Sequence, residues 1–339
     1  MNDREIRVLE AIVQSYVETA EPVGSRVLAR RFGLGVSAAT IRNAMSDLEE
    51  KGFLSHPHTS AGRVPTDRAY RLYVDALMRE KAVSRHERET IREGLAVHGA
   101  AVPEILRRAA EVLGVLTQEL GIAVAPSLDS AVLDRLDLVA VSSDRLLLVL
   151  TLGTGMVKTI FVQVPGSVPP DAIVTITRVL NERLAGHTLR DVRQTLADRL
   201  RDSAATPAEH ELMDIFLATG DQIFDVPAGD EIVVGRTSLL ADQPEFASGQ
   251  GMRSLIELTE QREILGRVLG QRKMANALTI TIGGEHDTRQ LSNLTLVTSP
   301  YSAGSLTGVI GVLGPTRMPY EKIVALVEHT SKMVGDLLR

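Results

Sequence analysis

The sequence predicts an α+β protein that begins with a small, mainly helical domain. Apolar residues recur at helical spacing through most of residues 1–80, whereas residues 133–164 alternate apolar and polar side chains as β-strands do. Helical patterning returns in residues 165–227, and strands and helices mix in residues 228–339. A chain of 339 residues with 44% apolar content is too long for one ordinary domain. We therefore expect an N-terminal domain followed by one α+β domain that a helical insertion interrupts.

The first three helices are predicted from their capping residues. Asn2 precedes a helix over Asp3–Thr19, and a glutamate three residues after Asn2 completes a capping box. Ser25 is expected to cap a short second helix, and Ser37 is expected to cap a third that ends at Gly52.

A small hairpin is predicted after the third helix. Residues 53–57 and 63–65 are extended segments, and Gly62 allows a tight turn between them. Thr66 is then expected to cap a further helix. Three helices followed by a small hairpin is the order of elements in a winged helix-turn-helix domain that binds DNA, to which we assign residues 1–80.

The remainder of the chain is predicted to comprise a linker and a larger region. Residues 81–102, strongly charged up to Glu93, are expected to form a solvated linker helix. A helix follows over residues 103–120, and residues 133–164 are predicted to be a meander of strands. After the insertion we predict a helical piece over residues 253–269, strands at residues 231–234, 278–282, 294–298 and 309–313, and a last helix over residues 320–338.

Charge is distributed unevenly along the chain. The formal net charge is −6, yet the stretch from Pro22 to Arg71 carries +4, so the remainder carries −10. A basic N-terminal domain on an acidic body fits a protein in which only that domain binds DNA. The basic residues of this stretch are Arg26, Arg30, Arg31, Arg42, Lys51, Arg63, Arg68 and Arg71.

Composition excludes several classes of protein. The chain has no cysteine, which excludes disulfides, thiol catalysis and cysteine-ligated metal centres and is compatible with a reducing cytoplasm, where we expect the protein to reside. The charged N-terminus predicts no signal peptide. Residues 290–316 have no charged side chain, but Pro300, Pro315 and four glycines interrupt them, so we predict buried strands and no membrane partner.

The start of the third helix carries the clearest functional signal. With its apolar stripe buried, the opposite face offers short polar groups, one small apolar group, a guanidinium and a carboxamide, which suit the major groove of DNA. An ordinary solvated helix face is the alternative interpretation. The acidic side chains lie further along, where a recognition helix leaves the groove. The predicted reading residues are Ser37, Ala39, Thr40, Arg42, Asn43 and Ser46.

The hairpin loop is the predicted wing. Thr59, Ser60 and Arg63 are placed to reach phosphates or the minor groove. We complete the predicted DNA contacts with Ser25, Arg26 and His58. His56 and His58 resemble a metal pair, but no third ligand lies near them in the sequence, and no metal is expected.

Catalytic motifs are largely missing from the sequence. It lacks the phosphate-binding Gly-Lys-Ser/Thr motif, the zinc-protease His-Glu-x-x-His motif and the Gly-x-Ser-x-Gly motif of serine hydrolases. The glycines at 304, 308, 311 and 314 do not have dinucleotide-binding spacing. We therefore predict a protein that is not an enzyme and that has no cofactor.

Several blocks of sequence resemble the HrcA family of heat-inducible transcription repressors. The run from Pro57 to Arg63, Pro-His-Thr-Ser-Ala-Gly-Arg, is very specific. Ala38 stands where the family usually has proline, Ala44 where it often has an acid, and Gly284-Glu285-His286 where Glu-Asn is common. The resembling blocks are residues 21–25, 39–43, 47–50, 57–66, 243–246, 296–301 and 310–318, which spread over essentially the whole chain.

The resemblance implies both an architecture and a function. It implies a GAF-like regulatory domain, for which we assign residues 103–164 and 228–339, and an inserted dimerisation domain at residues 165–227. It also implies repression of chaperone operons through an inverted-repeat operator in double-stranded DNA, release on heat stress, and modulation by a GroE-type chaperonin.

An inverted repeat requires a two-fold homodimer, because each reading helix sees one half-site. We predict that an apolar stripe on the insertion forms the dimer interface, with packing against the host domain as the alternative. The stripe consists of Leu212, Ile215, Phe216 and Ile223.

Two other functions remain open at this point. A metabolite-sensing repressor would use a small-molecule site in the GAF-like domain. An enzyme or scaffold would use the winged helix for protein contacts. For regulation we expect a marginally stable domain around residues 290–316 that unfolds on heating and becomes a chaperonin client.

Overall fold

The computed structural model describes residues 1–57, 62–79, 81–96, 102–126, 128–153, 155–201, 206–224, 232–260, 262–272, 277–304 and 306–338. The fold is α+β, as predicted, and it divides into two compact units. Unit 1 comprises Met1–Val124, Ile232–Tyr301 and Val309–Val334, and unit 2 comprises Ala125–Glu231, Ser302–Gly308 and Gly335–Arg339. The N-terminal domain therefore shares a unit with much of the C-terminal third of the chain.

The N-terminal head has the predicted order of elements. Asn2 accepts a hydrogen bond from the Glu5 amide at 2.8 Å and the Glu5 carboxylate accepts one from the Asn2 amide at 3.2 Å, so the capping box forms. The Ser25 prediction is wrong, because Gly24 is the cap and Ser25 is the first helical residue. The helices are α1 (Asp3–Thr19), α2 (Ser25–Arg31) and α3 (Ala38–Glu50).

The wing is built on a close approach of two chain segments. Strands β1 (Leu54–Ser55) and β2 (Val64–Pro65) pair antiparallel, and Arg63 exchanges two backbone hydrogen bonds with Val23, of 2.8 and 2.9 Å. A Cβ at Gly62 would collide with the carbonyl of Val23, so only glycine fits there.

The end of the head differs from the prediction. Thr66 does not cap the next helix with its side chain, which instead donates a hydrogen bond to the Gly52 carbonyl at 2.8 Å. The helix α4 (Asp67–Leu72) passes into a π-helix over Tyr73–Leu77.

The predicted solvated linker is in part a packed helix. Helix α5 (Arg85–Leu95) buries Ile91 and Leu95, and its Gly94 lies so close to Val112 of α6 (Val102–Thr117) that a Cβ would clash. Strand β3 (Leu120–Val124) follows α6 and was not predicted, because its short apolar run reads as the end of a helix.

Unit 2 places the meander and the insertion around one core, which spans the predicted boundary at residue 164. Leu148 and Leu150 of the meander share a buried cluster with Leu180 and Phe216 of the helices. The three strands of the meander pair in the order in which they follow one another along the chain. The elements are β4 (Leu133–Ser142), β5 (Arg145–Leu152), β6 (Val157–Gln163), α7 (Pro170–Leu184), α8 (Leu189–Leu200) and α9 (Pro207–Phe224).

The predicted dimer stripe belongs to that core. Leu212, Phe216 and Ile223 are at most 3% exposed, and Ile215 packs against the same cluster. These side chains are therefore buried within a single copy of the chain, where α9 packs against α7 and α8, and they are not exposed for a contact with a second copy.

A five-stranded sheet forms the centre of unit 1. The remaining elements, of which the last three lie mainly in this unit, are β7 (Ile232–Val234), α10 (Ser238–Ala241), α11 (Gly249–Glu260), α12 (Arg262–Arg272), β8 (Thr279–Ile282), β9 (Leu294–Ala303), β10 (Leu306–Pro315) and α13 (Tyr320–Leu337). The strand order of the sheet is β7–β3–β10–β9–β8. The uncharged residues 290–316 supply β9 and β10, which are buried along nearly their whole length, as predicted. Among the described helices none is long and apolar enough to cross a membrane.

Candidate nucleic-acid interface

The amino-terminal half of α3 presents an open polar face. Ser37 caps the helix by accepting a hydrogen bond from the Thr40 amide at 3.1 Å, and the two hydroxyl oxygens lie 2.9 Å apart. On the other side of the helix Ile41, Met45 and Leu48 are buried. The pattern of apolar residues thus fixes which side of α3 faces outward.

The predicted reading residues lie on that outward side. Ser37, Ala39, Arg42 and Asn43 are exposed, and Thr40 is half-buried. The side chains of Arg42 and Asn43 have no hydrogen bond or ion pair with any described residue. Ser46 is half-buried and donates a hydrogen bond to the Arg42 carbonyl at 3.2 Å. The guanidinium and the carboxamide are therefore available to a partner outside the chain.

Helix α2 exposes arginines on its surface, whereas the predicted serine is buried. Ser25 is only 8% exposed, which removes it from the outward face. Arg26 is exposed and has no partner among the described side chains, and the same holds for Arg30. Arg30 is not among the predicted contacts, although its spacing of four residues from Arg26 places both on one side of the helix.

The base of the wing is attached to α3. Arg63 Nη2 lies 2.8 Å from Glu49 Oε2, and the side chain is 17% exposed with its Nε buried and without a hydrogen-bond partner. His56 Nδ1 lies 2.5 Å from the other oxygen of Glu49. Arg63 therefore holds the hairpin against α3 rather than projecting toward solvent. The other predicted wing contacts, His58, Thr59 and Ser60, lie outside the described residues.

Pairing separates the eight basic residues between Pro22 and Arg71 into two groups. Arg31 forms an ion pair with Glu18, Lys51 with Glu5 at 2.7 Å, and Arg68 stacks on the ring of Phe53 at 4.6 Å. Arg63 and Arg71 are also engaged in ion pairs. Of these eight residues, only Arg26, Arg30 and Arg42 have no ion pair, hydrogen bond or ring contact with the part of the chain that the structure describes.

The opposite side of the head is docked on the five-stranded sheet. Arg71 donates two hydrogen bonds to Glu285, of 2.7 and 2.6 Å, and a third to the Ile280 carbonyl at 2.7 Å. The Gly284 amide donates to Asp67 at 2.8 Å. Gly284 and Glu285 thus make two of the contacts that hold the head against the sheet.

A second arginine approaches the same junction from the C-terminal region. Arg317, 11% exposed at its side chain, donates to the Val17 carbonyl at 2.9 Å and to Glu245 at 2.7 Å. Glu119 is 2% exposed, and its carboxyl group lies close enough to Arg317 for their charges to interact. One of its carboxylate oxygens has no hydrogen-bond partner among the described residues. Burial raises the pKa of Glu119 well above its usual value, and Arg317 partly offsets that shift.

Two other features bear on the alternative functions. No group of three histidine, aspartate or glutamate side chains among the described residues could hold a metal ion. A groove of about 510 Å³ in unit 1 is lined by apolar side chains such as Phe246 and Leu255 and by polar ones such as Arg289 and Asn293.

Comparisons with known proteins agree along the whole chain. A family model described as the HrcA protein C terminal domain matches residues 103–324. The chain is 40% identical over 339 residues to the heat-inducible transcription repressor HrcA of Chlorobium phaeovibrioides (strain DSM 265 / 1930), covering 96% of this chain and 94% of that protein. It is 36% identical over 343 residues to the repressor of the same name from Geobacter sulfurreducens (strain ATCC 51573 / DSM 12127 / PCA), covering 100% and 98%.

One solved structure has the same fold. It is the crystal structure of a hypothetical protein at 2.2 Å resolution, with a TM-score of 0.65 and 22% sequence identity. The match covers 100% of this chain and 98% of that one.

Proposed function

The chain belongs to the HrcA family of heat-inducible transcription repressors, and from that premise we propose that it represses chaperone operons by binding an inverted-repeat operator as a homodimer. Membership supports the coarser statement that the protein is a DNA-binding repressor of heat-shock genes. The operator, the dimer and the modulation by a chaperonin are the parts we propose.

The unpaired outward face of α3 supports operator binding. A guanidinium can pair with the O6 and N7 of guanine and a carboxamide with the N6 and N7 of adenine, both in the major groove. We assign these roles to Arg42 and Asn43. The hydroxyls of Ser37 and Thr40, at the positive end of the helix, suit a backbone phosphate.

Selection from random DNA tests this proposal directly. Purified protein is expected to enrich fragments with two inverted half-sites one helical turn or more apart. The logarithm of the affinity should fall linearly as the logarithm of the salt concentration rises, because cationic side chains displace condensed counterions from the DNA. Enrichment of no palindrome, or binding that ignores salt, would contradict the proposal.

An open apolar sheet face in unit 2 supports a dimer. Val139 lies opposite Leu147, which lies opposite Phe161, and all three are on the side of the meander that faces away from the core. Val139, Val157 and Phe161 are between 49% and 64% exposed. A contiguous apolar face of this kind is uncommon on a monomer and typical of a protein contact. We propose that a second copy of the chain covers it, in place of the buried stripe on α9.

Sedimentation of two charge variants tests the dimer surface. Phe161→Asp should convert a dimer into monomers, because it replaces an exposed apolar side chain of the interface by a charged one that must lose its hydration when the second copy covers it. Val174→Asp introduces the same group at an even more exposed position on α7 and should leave the dimer intact. Dimers in both variants, with unchanged circular dichroism, would refute this surface.

The shared unit of head and sheet supports release on heating. Contacts such as Arg71–Glu285 and Arg317–Val17 orient the head only while the sheet is folded. We propose that heat unfolds this region, that the head then leaves the operator, and that a GroE-type chaperonin restores the folded form. Operator binding after a heat step should recover with the chaperonin and ATP and stay low without them, and equal recovery in both samples would exclude the chaperonin.

A metabolite-sensing repressor is the second candidate. The groove beside Phe246 and Leu255, which combines apolar walls with Arg289 and Asn293, favours it. A thermal-shift screen of cell metabolites decides between the two, since a ligand of the folded state raises the unfolding midpoint.

A further inference from the structure

A cleft of about 740 Å³ lies between the start of α1 and the turn that leads into α3. Arg4 and Arg7 line its α1 side, and residues 34–36 line the other. Val36 directly precedes Ser37, the cap of α3, so the cleft opens beside the amino end of the helix proposed to enter the major groove.

The two arginines of the cleft are exposed and unpaired. Neither has an ion pair or hydrogen bond with a described residue. Asp3 is the single carboxylate that lines the cleft, since Glu5 is buried and paired with Lys51 at 2.7 Å. The side chains that line the cleft thus carry two positive charges and one negative charge, so the cleft has a net positive charge that favours an anion.

We propose that this cleft seats a phosphodiester of the operator backbone, on the strand that borders the half-site read by α3. A helix lying in the major groove has a phosphate backbone on each side, and the side nearest its amino end would meet Arg4 and Arg7. The contact fixes the position of α3 without reading bases. The inference deepens the proposed DNA binding and depends on it.

Salt dependence on two duplexes tests the cleft. The double variant Arg4→Gln, Arg7→Gln should lower the slope of log affinity against log salt by roughly 1–2, since each lost phosphate contact removes about 0.9. The loss should be the same on a selected palindrome and on a mixed-sequence duplex of equal length. The matched control is Arg88→Gln, Arg92→Gln, which removes two exposed cations from α5, outside the head, and should leave the slope unchanged.

The outcomes separate this inference from the proposed function. If the wild-type protein binds both duplexes and the double variant keeps the full slope, the cleft inference fails and DNA binding stands. A loss confined to the palindrome would make the two arginines base contacts, which also overturns the inference. Failure of the wild type to bind either duplex overturns both proposals.

Discussion

The two sides of the head use the same residue type for opposite purposes. On the outer side Arg26, Arg30 and Arg42 project from α2 and α3 without a carboxylate partner. On the inner side Arg71 and Arg317 are bonded to carboxylates and to backbone carbonyls of the same unit. On the function proposed above, we expect that the partner of a cation, and not its presence in a basic stretch, decides whether it binds DNA or stabilises the fold.

The largest effect is expected from removing an inner arginine. Arg317→Met keeps the approximate length of the side chain but leaves Glu245 and the Val17 carbonyl without their donor. Removal of one partner from a largely buried ion pair costs about 3–5 kcal/mol, so the free energy of unfolding should fall by that order. Urea unfolding followed by circular dichroism measures it.

A matched exposed pair serves as the control for that variant. Arg178 and Glu182 on α7 are 64% and 57% exposed at their side chains, and Arg178→Met should cost no more than about 1 kcal/mol. If both variants lost the same small amount, the inner arginine would have no special role in the fold.

Removal of an outer arginine should affect binding and leave stability unchanged. Arg42→Ala is expected to weaken operator binding by about 1–3 kcal/mol and to relax the choice of one base pair. The unfolding midpoint should not move, because the Arg42 side chain has no partner among the residues that the structure describes. Quantitative gel shifts on the palindrome and its single-base variants measure both effects. An equal loss on all duplexes would make Arg42 a phosphate contact and remove it from base reading.

A smaller effect with a definite pH dependence is expected at the inner side. The folded-state pKa of Glu119 is raised above its ordinary value of 4.5 by burial. Below pH 4.5 the carboxyl is protonated in both states, whereas at higher pH the unfolded state releases the proton first, so stability falls as pH rises toward the folded-state pKa. Glu119→Gln removes that titration.

Stability curves at several pH values measure the Glu119 effect. The difference in unfolding free energy between Glu119→Gln and the wild type should shift in favour of the variant from pH 4.5 upward. The test rests on how this difference changes with pH and not on its size, because the buried carboxamide of the variant has a desolvation cost that is the same at every pH. Parallel curves would show that Glu119 does not titrate differently in the two states.

Local signals explain what the sequence predicted well. Helices α1 and α3 begin where predicted, because Asn2 and Ser37 are caps whose effect reaches only three residues along the chain. The buried strands within residues 290–316 were also predicted, since an uncharged run broken by prolines and glycines has few other folded forms. The outward side of α3 followed from the spacing of its apolar residues.

Contacts distant in sequence explain what was missed. Phe216 was predicted to lie on an apolar stripe that forms the dimer interface, whereas in the structure it is buried in a core to which α7, α8 and the meander also contribute. Ser25 was given the capping role that belongs to Gly24. Arg63 was predicted to reach phosphates or the minor groove, whereas its guanidinium pairs with Glu49 of α3. Sequence spacing predicts which side a residue faces, whereas the identity of its partner depends on tertiary packing.

The smallest effect, and the strictest test of the contrast between the two sides, is expected for Arg31. Its ion pair with Glu18 is 43% and 55% exposed at the side chains, so Arg31→Ala should change stability by less than about 1 kcal/mol. If pairing decides function, the salt slope of DNA binding should also stay unchanged, because Glu18 occupies the guanidinium. A pair this exposed is weak enough for a phosphate to displace the carboxylate. A slope lowered by about 1 would therefore show that Arg31 exchanges Glu18 for a phosphate on DNA. Only buried pairs such as Arg317–Glu245 would then keep an arginine in a purely structural role.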